Sequence, residues 1–133
     1  MFKKLLILFS LCISLTAGHQ EVHLTIEEQR WLQDHQVLRV SNEMDWPPYD
    51  FMVNGKPQGY SVGYLQLLAY KLGIRLEFVN GHSWKTLLEM AKNKQLDIIH
   101  PIAYSESRAE YLNYTGQFID VVNTLAIHES NQT

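Results

Sequence analysis

Short apolar runs alternate with capped amphipathic segments along this chain, and that alternation constrains its fold more than any other feature. Val37 to Ser41 (VLRVS), Ile74 to Val79 (IRLEFV) and Leu96 to Ile99 (LDII) have the length and apolar content of strands. Between them the spacing turns helical. Val62, Leu65, Leu68, Ala69 and Leu72 fall on one face, with Ser61 placed to cap the start and Gly73 at the position that ends helices. Trp84, Leu87, Leu88 and Ala91 share a face behind a Ser83 cap, in a helix expected to fray near Asn93. A further helix is expected from a Ser105 cap to about Leu112, then a long strand from Phe118 to Ile127. Strands alternating with helices imply an α/β fold, a mainly parallel sheet covered on both faces.

Two segments interrupt the alternation. Thr25-Ile26-Glu27-Glu28 reads as a capping box, starting a short helix to about His35. Asn42 to Tyr49 follows the first strand, and Pro47 and Pro48 exclude both helix and inner strand there, leaving a stiff loop that carries Trp46. Asp50 to Val53 is a short extended piece, Asn54-Gly55 is a two-residue hairpin turn, and Gly59-Tyr60 is expected to resume an extended chain.

The N-terminus has the pattern of a secretory leader: Lys3 and Lys4, an apolar core from Leu5 to Leu15, then Thr16-Ala17-Gly18. The core is short for a membrane span. Cys12, the single cysteine, would leave with the leader, so no disulfide or thiol chemistry is expected in the exported chain. The sequence has 11 Lys and Arg against 14 Asp and Glu, a net charge of −3. Removal of Lys3 and Lys4 makes the remainder more acidic, and no basic patch marks a nucleic-acid surface. The exported chain is not expected to span a membrane.

Few residues could carry chemistry. Arg108 falls in the first turn behind Ser105, where a cation opposes the helix dipole. It fits there if an anion is bound, since a guanidinium grips a carboxylate with two parallel bonds; the alternative is a surface pair with Glu106 or Glu110. Trp46 could stack on a ligand or serve as a core or lid residue. Glu43 could hold an amine or be a solvated loop acid. His100 ends the third strand, where a structural role competes with a ligand contact. His19, His23, His35, His82 and His128 lack metal-ligand spacing, so no metal or cofactor is expected. No phosphate loop, dinucleotide fingerprint or nucleophile elbow occurs.

The stretches LRVSNEMDWPPYDF, NGKPQGYSVGYLQLLAYKLG and LDIIHPIAYSESRAEYLNYT together resemble the bacterial extracellular solute-binding proteins of the polar amino-acid type. The lead-in LTIEEQRWLQDHQVLRV resembles the entry to the Venus-flytrap sensor modules of histidine kinases. The resemblance covers Leu24 to Ile127 and implies lobe one of a periplasmic-binding-protein-like fold. It implies that Trp46 is the stacking aromatic of the first loop and Arg108 the ligand-carboxylate arginine. It also implies that backbone groups near Ala103, Tyr104 and Ser105 hold ligand, and that Glu43 contacts cationic groups. Gly63 stands where the family often has Asp, and His100-Pro101 replaces small residues.

The expected organisation is a leader at 1–18, a lead-in with a short helix at 19–36, solute-binding lobe one at 37–128 and a polar tail at 129–133. The family binds between two lobes, so a chain stopping near Ile127 is expected to be truncated and to bind weakly. The expected function is periplasmic recognition of an amino-acid-like or carboxylate ligand, with a membrane permease or a histidine kinase as partner. The alternatives are a dehydratase of a cyclic carboxylic acid, with Glu43 as its acid, and a remnant without ligand.

Overall fold

The computed structural model describes residues 22–121. The order is α1 (Ile26–Asp34), β1 (Val37–Ser41), β2 (Asp45–Trp46), β3 (Asp50–Val53), β4 (Lys56–Gln58), α2 (Tyr60–Leu72), β5 (Arg75–Val79), α3 (Trp84–Lys92) and α4 (Glu106–Ala109). β1 and β5 pair in parallel, Val37 with Arg75 through Ser41 with Val79. β2, β3 and β4 form a separate antiparallel sheet in that order. The result is an α/β lobe with the parallel pair at its centre.

Several elements follow directly from local chemistry. The Thr25 hydroxyl accepts from Glu28 N–H at 3.2 Å and the Glu28 carboxylate accepts from Thr25 N–H at 2.7 Å, which completes the capping box of α1. Ser83 caps α3 by accepting from Thr86 N–H at 3.2 Å, and the helix ends at Asn93. Asn54 and Gly55 both have positive φ, as a two-residue hairpin turn requires, and join β3 to β4. Gly73 is left-handed and closes α2.

Other expectations are corrected. α2 begins at Tyr60 behind Gly59, so Tyr60 is helical rather than extended and Ser61 is not the cap. Its first N–H groups are met from the preceding loop: Tyr60 N–H donates to the Pro48 carbonyl at 2.9 Å and Ser61 N–H to the Tyr49 carbonyl at 3.0 Å. The Ser61 hydroxyl donates to the same Tyr49 oxygen at 2.6 Å. Asp45–Trp46 pairs as β2, immediately before the prolines, where only a loop was expected.

The third strand shrinks to one parallel bridge, Val40 with Ile98. The N–H groups of Asp97 and Ile98 both turn to the Arg39 carbonyl, at 2.9 and 3.1 Å, and the Asp97 carboxylate takes the Arg39 N–H at 2.7 Å. A regular ladder needs these groups one per rung. Helix α4 stops at Ala109, short of Leu112, and a turn follows in which Tyr111 and Leu112 N–H both donate to the Arg108 carbonyl, at 3.1 and 2.9 Å. Residues 118–121 form no strand, and the remainder of the expected strand to Ile127 lies outside the described residues.

The core gathers around the parallel pair. Leu38, Ala69 and Ile74 form a buried cluster against which Leu32, Leu72, Leu76 and Ile98 pack. Val40, Val62 and Leu87 are fully buried. The exposed rim carries an ion pair, with the Arg39 guanidinium bonded to both Asp97 oxygens at 2.8 and 2.9 Å.

Candidate functional site

Two loops leave the C-terminal ends of β1 and of the bridged segment, where α/β sheets leave space for ligands. Their roots are tied together by one side chain. The Ser41 hydroxyl accepts from His100 N–H at 2.9 Å and donates to the His100 carbonyl at 3.1 Å. Ser41 N–H meanwhile donates to the Ile98 carbonyl at 3.0 Å. Pro101, buried, has no N–H to extend that ladder.

The first loop carries Glu43 and Trp46, both half-buried. It is folded back on β3 by Asp50, which is fully buried. Asp50 Oδ2 accepts from Glu43 N–H at 2.8 Å, and Oδ1 accepts from the Asn42 side-chain amide. The Pro47–Pro48 peptide is cis, and Tyr49 N–H donates to the Trp46 carbonyl at 2.9 Å. The Tyr49 ring meets Trp46 edge-on at 5.5 Å. At its far end the loop is held by the first turn of α2, so that helix terminus is already satisfied by protein carbonyls. Burial raises the Glu43 carboxyl above its ordinary value. Burial pushes Asp50 up to about 6, against the two hydrogen bonds it accepts, and the neighbouring Glu43 charge adds to the rise.

The second loop carries the arginine. Ser105 caps α4, its hydroxyl accepting from Arg108 N–H at 3.3 Å. The Arg108 side chain turns back and donates from Nη1 to the Ala103 carbonyl at 3.0 Å, with its guanidinium carbon 5.8 Å from the Trp84 ring centre. Among the described residues it forms no ion pair, so the surface pairing with Glu106 or Glu110 is not made. The Tyr114 hydroxyl donates to the same Ala103 oxygen at 3.3 Å and its ring packs edge-on against Tyr104, which is largely exposed.

The structure therefore brings Ala103, Ser105 and Arg108 together, and Tyr104 joins them through Tyr114. Glu43 and Trp46 gather separately on Asp50. The two groups share the Ser41–His100 tie at their roots, and no hydrogen bond or aromatic contact among the described residues joins Trp46 to Arg108. His100 is a root residue: it is 3% exposed, its ring 6.3 Å from Phe78. Neither ring nitrogen has a partner among the described residues, and burial pushes its pKa down to about 4.

Sequence reasoning missed Ser41, Asn42, Asp50 and Trp84. Trp84 fits the apolar stripe of α3, yet its ring forms a shelf under the guanidinium. Asp50 reads as the start of an extended piece, and only its position two residues after a Pro-Pro pair hinted at a structural acid. No group of three or more His, Cys, Asp or Glu among the described residues could hold a metal ion.

Known structures share the fold of this chain. A Phe-to-Trp variant of the arginine-bound form of domain 1 from TmArgBP is 26% identical with a TM-score of 0.60, over 69% of this chain and 72% of that one. A histidine kinase sensor domain with similarity to periplasmic binding proteins is 34% identical with a TM-score of 0.54, over 59% of this chain and 34% of that one. An ancestral cyclohexadienyl dehydratase, 22% identical with a TM-score of 0.54 over 66% of this chain and 37% of that one, shares the fold. The chain thus spans about a third of the length of the last two. No curated protein matches it significantly. The sequence model of the bacterial extracellular solute-binding proteins, family 3, matches residues 38–133, so the chain belongs to that family.

Proposed function

We propose that the chain is an extracellular binding or sensing lobe that captures a small amino-acid-like or carboxylate ligand at its strand ends. The observation that carries this reading is the state of Arg108. Its guanidinium is oriented by the Ala103 carbonyl and the Trp84 ring, and none of the described acids neutralises it. A guanidinium held this way keeps donors for a carboxylate. Trp46 and Glu43, on a loop rooted beside it, supply an aromatic face and a negative charge suited to a ligand's amine. His100 supports the site from below rather than touching ligand.

A lobe taken alone buries one side of a ligand and binds it weakly, roughly millimolar, until a second surface closes over it. The arginine-bound domain 1 from TmArgBP supports occupancy of a single lobe of this kind. A membrane permease or a histidine kinase is the partner class the reading implies, and the sensor-domain neighbour favours the second. Residues 1–18 serve as a cleaved export leader in this reading, which puts the lobe in the periplasm.

Titration calorimetry of the full chain against an amino-acid panel that includes arginine tests the reading. Heat of binding is expected for at least one member, weakened by about tenfold or more in Arg108→Ala. A wild-type chain that binds nothing, or a variant that binds equally well, removes the assignment. The enzyme reading rests on Glu43, a half-buried acid with a raised pKa. Product formed from a cyclic carboxylic acid in a single-turnover assay would favour it.

A further inference from the structure

We propose that Asp50 is the positioning residue of the binding loop, latching the backbone at Asn42 and Glu43 onto β3 and so setting where Trp46 and the Glu43 carboxylate stand. The inference rests on the binding reading above only for its consequence, and its geometry stands without it. Asp50 is fully buried, yet both of its carboxylate partners are neutral donors, the Asn42 amide and Glu43 N–H. A buried carboxylate without a cation is costly for a structure to keep. An apolar residue would pack β3 against α2 without that cost. What the carboxylate supplies is a pair of directed acceptors at the point where β1 becomes the loop.

The surroundings offer no competing charge partner among the described residues. On the preceding loop stands Glu43, of the same sign, and on β2 the exposed Asp45. Arg39 on β1 is paired with Asp97. Lys56 is at the far end of the hairpin, opposite Val53, and Lys71 is in the last turn of α2. His100 lies across the bridged segment, buried and neutral at ordinary pH.

Asn42 adapts the latch to either charge state. Its Nδ2 donates to Asp50 while its Oδ1 is buried without a partner among the described residues. Rotation of the amide by half a turn would present Oδ1 to a protonated Asp50 and leave the same number of unmet groups. The latch therefore changes donor direction on protonation, and Trp46, four residues along and paired across β2 and β3 with Asp50, reports it.

The test is the indole N–H resonance of Trp46 in the full chain, assigned by comparison with Trp46→Phe and followed by NMR from pH 4.5 to 8. In the wild type it should titrate with a midpoint near Asp50's own value of about 6. In Asp50→Asn, which keeps the shape and both hydrogen bonds by the same amide rotation, the titration should vanish while the fold persists. An unchanged midpoint in Asp50→Asn, or a wild-type resonance that does not move, overturns the proposal. No ligand is needed, so failure here is separable from failure of the binding reading. If arginine binds, Asp50→Ala should weaken it by about tenfold through loss of the preset loop. Equal affinity in a folded Asp50→Ala overturns the positioning role, and if that variant does not fold, the Asp50→Asn titration decides.

Discussion

His100 and Asp50 are both buried and titratable, neither has a counter-charge among the described residues, and they push stability in opposite directions with pH. His100 has its folded pKa lowered by burial from an ordinary 6.5 to about 4. Protons therefore favour the unfolded chain, and its contribution to stability is present above 6.5 and lost as pH falls toward 4. Asp50 has its folded pKa raised by burial from 3.8 to about 6, so its contribution is present below 3.8 and lost as pH rises through 6. Between pH 4 and 6 the two offset one another. Thermal unfolding of single variants separates them. His100→Gln should become more stable as the medium is acidified through this window, and Asp50→Asn less stable. Parallel profiles in both variants and the wild type would show that neither group is linked to folding.

At the scale of elements, the joint between β4 and α2 is the most demanding. Gly59 has a φ of 122°, and a Cβ placed on it would strike the Tyr49 carbonyl, the atom that accepts both Ser61 N–H and the Ser61 hydroxyl. Left-handed backbone and a backbone clash coincide at this one position. Gly59→Ala is expected to cost about 2–3 kcal/mol, read by urea denaturation, and to loosen the loop that carries Trp46. Gly73→Ala, left-handed but with open space around its Cβ, should cost about 1 kcal/mol. Equal effects at the two glycines would refute the clash as the cause. The caps of α1 and α3 are legible in sequence because each bond spans three residues. The start of α2 is not, since its carbonyl partners come from a loop twelve residues away.

For the whole molecule, the cluster at Leu38 joins α1, β1, α2 and β5, together with the bridged Ile98. Leu38→Ala should lower stability by about 2–5 kcal/mol, with a matching fall in the thermal midpoint. A loss below about 1 kcal/mol would mean that these elements do not share one core. The family match and the arginine-bound domain both extend over most of this lobe, whereas the match takes in only 34% of the sensor domain and 37% of the dehydratase.

By itself the sequence determined the alternation of strands and helices, the hairpin at Asn54-Gly55, the ends of α1 and α3, and the neighbourhood of Arg108. Those features rest on bonds or spacings within a few residues, which any reader of the chain can count. Tertiary structure alone decided that Leu96 to Ile99 meets β1 at a single rung, that Ser61 anchors a loop instead of capping a helix, and that His100 lies beneath the site. It also decided that Arg108 rests on Trp84 and that Asp50 turns inward. The Ser41–His100 tie spans 59 residues. A contact that far apart in sequence exists only after the sheet has formed, because its energy depends on burial that no local pattern records.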